Sequence, residues 1–249
     1  MPWLIATALI HSINVADKKH NFMNWTILLA ILGFSFSLLG TFIVRSGLIT
    51  SVHAFASDPN RGIFILVILG ISTGIPLLIY GLKKNSSNNI KFFLMSRETA
   101  LLLNNVFLVI STVTVLIGTL YPLVLEIINN SKISVGPTYY NRTFGIILIP
   151  FILIMAIAPF LSWGRSSKKV LFKKLSLLLC LTLVGTIIFY LLKPSSIFAL
   201  ICGSLSISIL VSVCLELFNK LKINNQNKFN VVKRIKLLPK SFFGMIFAH

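Results

Sequence analysis

Eight apolar runs separated by short basic gaps constrain this chain more than any other feature. They cover residues 1–16, 25–44, 62–82, 99–127, 144–163, 175–192, 197–218 and 241–249. A helix that crosses a bilayer needs about 20 mostly apolar residues. Inside hydrocarbon there is no water to bond the backbone, so each segment must satisfy its own N–H and C=O groups as a helix. The first run is short for a span. The last has nine residues, about 13 Å at 1.5 Å per residue, and cannot cross. The expected fold is therefore all-α: a polytopic integral membrane helix bundle of seven spans and the truncated start of an eighth. Residues 1–249 are expected to form a single membrane domain, and both ends read as cut from a larger protein.

Composition excludes the main soluble classes. Hydrophobic residues make up 56% of the chain and charged residues 11%, against about a quarter charged in a soluble domain. A net charge of +18 would suggest nucleic acid in a soluble chain. Here the basic residues fall in the gaps between runs, so no nucleic-acid partner is expected and the lipid bilayer is. Eighteen Lys and Arg lie in the gaps after the first, third, fifth and seventh runs, and five lie in the others. That alternation follows the positive-inside rule. The connection 45–61 and the loop 129–143 are expected on the outer side, and the basic loop 219–240 on the inner side. Cys180, Cys202 and Cys214 sit inside apolar runs without a CxxC or CxxCH spacing, which reads as packing. The apolar N-terminal stretch lacks the basic segment of a cleavable leader.

The outer connection carries His53. Asp58-Pro59 reads as a helix start, since Asp caps free N–H groups and Pro suits the first helical position. Leu48, Val52 and Phe55 recur at helical spacing, as in a short helix lying on a membrane surface. His53 falls off that stripe. It has two readings: a polar loop residue, or a neutral imidazole at the membrane edge serving as an axial ligand to a haem from outside. In the loop 129–143, Gly136-Pro137 reads as a turn and Tyr139-Tyr140 as interface aromatics.

Two further histidines lie in apolar runs. His11 is six residues before Asp17, and His249 is nine residues after Lys240. At about 1.5 Å per residue these are ~9 and ~13 Å from the same inner face. Two facing imidazoles can clamp a b-type haem iron, and ionisable groups inside a membrane are costly enough to imply function. Hydrogen bonding between helices is the competing reading. His20, beside Lys19, reads as solvated. The five acidic residues are scattered, so a carboxylate pair for acid–base catalysis is unsupported and no catalytic residue is assigned. Arg97-Glu98 reads as an ion pair at the inner end of the fourth run. Asn104-Asn105 reads as interhelical hydrogen bonding.

The segments MPWLIATALIHS, SVHAFASDPNRG, SRETALLLNN, SVGPTYYN and LPKSFFGMIFAH occur in this order from one end to the other. Together they resemble the CcmF family, the membrane haem lyase component of cytochrome c maturation. The resemblance implies that His11 and His249 ligate a resident haem b through its iron. It implies that His53 is one of two outer axial ligands for a transient haem substrate, which is joined by thioethers to the CxxCH thiols of apocytochrome c. The family's tryptophan-rich segment, its second outer histidine and most of the span after His249 have no counterpart here. Other chains are therefore expected to supply them. A haem chaperone and the factors that present apocytochrome thiols are further implied partners. The expected location is a bacterial or mitochondrial inner membrane. The function implied is a component of a cytochrome c haem lyase. The alternatives are a polytopic transporter or channel subunit, suggested by proline-interrupted spans, and a non-catalytic assembly subunit.

Overall fold

The computed structural model describes residues 1–19, 22–46, 59–83, 93–129, 133–223 and 235–248. Within them the chain is helical, with no strand. The elements are α1 (Pro2–Lys19), α2 (Met23–Arg45), α3 (Pro59–Leu82), α4 (Arg97–Asn129), α5 (Pro137–Ile157), a 3₁₀ turn η1 (Ala158–Phe160), α6 (Lys168–Leu191), α7 (Ile197–Ile223) and α8 (Lys240–Ala248). Among the described residues, six helices are long and apolar enough to cross a membrane: α2, α3, α4, α5 with η1, α6 and α7. The expected seventh span corresponds to α1, which has 18 residues and ends in Asp17, Lys18 and Lys19, and it is not among the six. The expected truncated eighth corresponds to α8, with nine residues. Pro59 opens α3 as anticipated, while Asp58 lies outside the described residues.

The chain forms two compact units. One comprises Met1–Lys91 and Leu101–Leu148, the other Phe92–Ala100 and Ile149–His249.

In the first unit, α1 packs on α2 and α2 on α3. Ile5, Ala8, Ser12, Val15 and Ala16 recur at helical spacing and form the buried stripe of α1. Small hydroxyl residues stitch the helices together. Ser12 Oγ lies 2.6 Å from Thr26 Oγ1, and Ser35 Oγ lies 2.7 Å from Thr73 Oγ1. Lipid tails are as apolar as Leu, so close approach and hydrogen bonds, not burial, drive such contacts. The other faces expose large apolar residues, such as Ile63, Phe64 and Val67 on α3, as a lipid-facing helix requires.

The loop expected over 129–143 is shorter than the sequence suggests. Pro137 starts α5, because its fixed φ and missing N–H suit the first helical position. Tyr139 and Tyr140 therefore lie in the first turn of a helix. The Tyr139 hydroxyl donates to the Thr114 carbonyl at 3.2 Å. The two rings meet edge to face, 5.2 Å apart. Both press on Gly118 of α4, where a Cβ would stand 2.8 Å from Tyr139 Cε1 and from the Tyr140 hydroxyl.

In the second unit, α6 packs on α7 through a reciprocal interlock. Phe189 of α6 occupies the space beside Gly203 of α7, and Ile207 of α7 occupies the space beside Gly185 of α6. Each glycine precedes its helix's protruding side chain by four residues, so the two pairs lie one turn apart along an antiparallel contact. Ser212, fully buried, donates to the Ala156 carbonyl of α5 at 2.6 Å. The core beneath is Ala100, Ala158, Phe160, Leu161, Leu171 and Leu178. The run 144–163 stops being α-helical at Ile157 and turns extended at Leu161. Pro159 in the first turn of η1 explains the change, because it cannot donate to the α ladder. The three cysteines are exposed on α6 and α7, so the packing role expected of them is not what the structure shows.

Candidate functional site

Of the three histidines singled out as haem ligands, His11 lies within the described residues. His53 and His249 lie outside them, as does His20. His11 sits on α1 three residues after Ala8 and four before Val15, both buried. Its ring therefore leaves the helix at the flank of the buried stripe, and it is partly buried. The residue before His249 is the last of α8. That helix buries Phe242, whose ring meets that of Phe243 at 6.3 Å, edge to face. A neutral imidazole offers a nitrogen lone pair, which is the donor chemistry a haem iron requires. The setting of His11 fits that group. Among the described residues, no three His, Cys, Asp or Glu side chains converge into a metal site.

The Lys-rich end of the second unit holds a polar network that sequence reasoning read only in part. The segment leading into α4 grips the connection between η1 and α6. Arg97 N–H donates to the Ser162 carbonyl at 3.0 Å, and Ser166 N–H donates to the Met95 carbonyl at 3.2 Å. The buried Glu98 carboxylate accepts the Gly164 N–H, at 2.8 Å to Oε1 and 3.1 Å to Oε2. Gly164 has φ +81°, a conformation that costs any residue with a Cβ. The Arg97 guanidinium donates to the Pro159 carbonyl at 3.2 Å and lies 5.9 Å from the Trp163 ring centre. Arg97 and Glu98 thus both brace this connection. Neighbours one residue apart on a helix point in different directions, and each side chain here reaches a different part of the same turn. Nearby, Lys174 Nζ is 3.4 Å from Glu216 Oε2 and 5.5 Å from the Phe160 ring centre. Spacing in the sequence offered no signal for these pairings, since their members are far apart in the chain.

Asn104 and Asn105 on α4 are buried, at 2% and 3% exposure. The hydrogen bonding expected of them does not reach their carbonyl oxygens, which have no hydrogen-bond partner among the described residues.

No protein-family model matches the chain. Its relatives among curated proteins do. The cytochrome c-type biogenesis protein CycK of Rhizobium meliloti is 39% identical over 251 residues, covering 100% of this chain and 37% of that protein. The cytochrome c-type biogenesis protein CcmF of Escherichia coli is 37% identical over 254 residues, with the same two coverages. CcmF of Pseudomonas aeruginosa is 48% identical over 164 residues, covering 66% of this chain and 25% of that protein. A solved structure described as cytochrome c heme lyase CcmF superposes with a TM-score of 0.67 at 27% identity, over 88% of this chain and 32% of that one.

Six long apolar helices, hydroxyl and glycine contacts between them, and large apolar side chains facing outward define an integral membrane helix bundle. The sequence and the superposition then narrow the class. The chain belongs to the CcmF family, and it spans 37% of the length of the first two relatives.

Proposed function

We propose that the chain is part of the haem lyase that attaches haem covalently to apocytochrome c at the outer face of a bacterial or mitochondrial inner membrane. The observation that carries this reading is the match of the whole chain to CcmF proteins. The partly buried setting of His11 on α1 supports it. His11 and His249 would hold a haem b, each through an imidazole nitrogen. When bound, that group supplies one-electron chemistry. His53 supplies one axial position to the haem substrate that arrives from the outer side.

In the attachment, a cysteine thiol of the CxxCH segment adds across a haem vinyl group. An S–C bond forms, the vinyl double bond becomes single, and the thiol hydrogen ends on carbon. This needs ligands and placement more than a carboxylate pair, which matches the scattered acids of this chain. A haem chaperone and thiol-presenting factors bring the two substrates.

The test expresses the chain with its partner polypeptides and follows both haems. His11→Ala strips the low-spin b-type absorption spectrum. His53→Ala leaves that spectrum in place and abolishes holocytochrome c. An unchanged b-type spectrum in His11→Ala, or full cytochrome yield in His53→Ala, refutes the corresponding assignment.

A further inference from the structure

A cleft of about 230 Å³ opens on the second unit between the start of α6, the end of α7 and η1. Phe160, Val170, Leu177 and Leu215 make it largely apolar, and Lys173, Lys174 and Asn219 complete its lining. Lys174 is committed to Glu216 and the Phe160 ring. Lys173 is exposed and makes no ion pair among the described residues.

The local electrostatics are unusual. α6 opens on Lys168 and Lys169, followed by Lys173 and Lys174, with no acidic residue in its first turn and no side-chain cap from Ser167. A helix N-terminus carries a partial positive charge and favours anions, so these lysines oppose their own helix. An anion in the cleft offsets part of this positive charge by pairing with Lys173. A soluble anion would use Lys173 and leave the apolar lining unused. A phospholipid uses the two together, with its phosphate at the interface and a chain in the cleft. Long lysine side chains reach up from apolar surface to such a headgroup. Basic clusters flanking a span attract anionic lipid by about 1 kcal/mol per residue, roughly a fivefold preference.

We infer that this cleft holds one anionic phospholipid, its phosphate on Lys173 and the start of an acyl chain along Val170, Leu177 and Leu215. The full chain is purified in detergent and titrated with dioleoyl phosphatidylglycerol or dioleoyl phosphatidylcholine, and bound lipid is read by native mass spectrometry. The phosphatidylglycerol adduct forms about fivefold more tightly. Lys173→Gln removes that preference. Lys220→Gln, an exposed lysine near the same end of α7 and outside the lining, keeps it. Val170→Trp, which fills the cleft, weakens both lipids. Equal binding of the two lipids, or equal loss in Lys173→Gln and Lys220→Gln, overturns the assignment in favour of diffuse charge. Displacement of the lipid by inorganic phosphate alone overturns it in favour of a free anion. Loss of lipid binding when partner polypeptides are co-purified makes the cleft a protein interface and overturns it as well.

Discussion

Replacing Gly203 with Ala tests the reciprocal interlock between α6 and α7 directly. A Cβ on Gly203 would stand 2.8 Å from Phe189 Cδ1 and Cζ, with Cε1 closer still. Real Cβ atoms do not approach that closely, so the ring or the helix must move. Overpacking of this kind costs about 1–3 kcal/mol. Against it, Ala is favoured over Gly inside a helix by roughly 0.5–1 kcal/mol. The net expectation is a loss of up to about 2.5 kcal/mol. Phe189→Leu removes the ring atoms that clash, so it should make Gly203→Ala nearly harmless. The double-mutant cycle isolates the overpacking term, a coupling of about 1–3 kcal/mol, within the range for residues in contact. The assay is unfolding of the full chain by sodium dodecyl sulfate in mixed micelles, followed by circular dichroism. Gly185→Ala with Ile207→Ala repeats the cycle at the other half of the interlock, where Ile207 Cγ2 would lie 2.8 Å from the new Cβ. A Gly203→Ala variant more stable than the parent, or an additive cycle, would refute the packing argument.

Three further outcomes are expected. Gly118→Ala destabilises the chain by about 1–3 kcal/mol in the same unfolding assay, and Tyr140→Phe relieves part of the loss because the Tyr140 hydroxyl is one of the two closest atoms; no relief would show that the ring pair does not set this contact. Gly164→Ala costs about 1–2 kcal/mol because an L-residue is strained at φ +81°, and greater proteolysis between η1 and α6 than in the parent would report it. Ser212→Ala removes a buried hydrogen bond to the Ala156 carbonyl and costs roughly 0.6–1.7 kcal/mol by membrane double-mutant measurements; a variant with unchanged stability would mean that the 2.6 Å contact contributes nothing.

The sequence by itself determined the helices and the family. A span is a local object, because its backbone bonds close within one segment and some 20 consecutive residues decide its hydropathy. The six long helices consequently fall on the runs read from residue order, and Pro59 starts α3 where a proline at the first helical position belongs. The family was equally legible, because His11, His53 and His249 stand inside specific local motifs. What only the tertiary structure decided is which faces meet. Glu98 finds Gly164 across 66 residues, and Ser212 finds Ala156 across 56. Tyr139 and Tyr140 turn out to pack on Gly118 as part of a helix, and the cysteines face outward. Periodicity cannot select these partners. In a membrane both faces of a helix are apolar, and no difference in hydrophobicity marks the one that packs. The choice is made by close fit and hydrogen bonding between residues far apart in the chain.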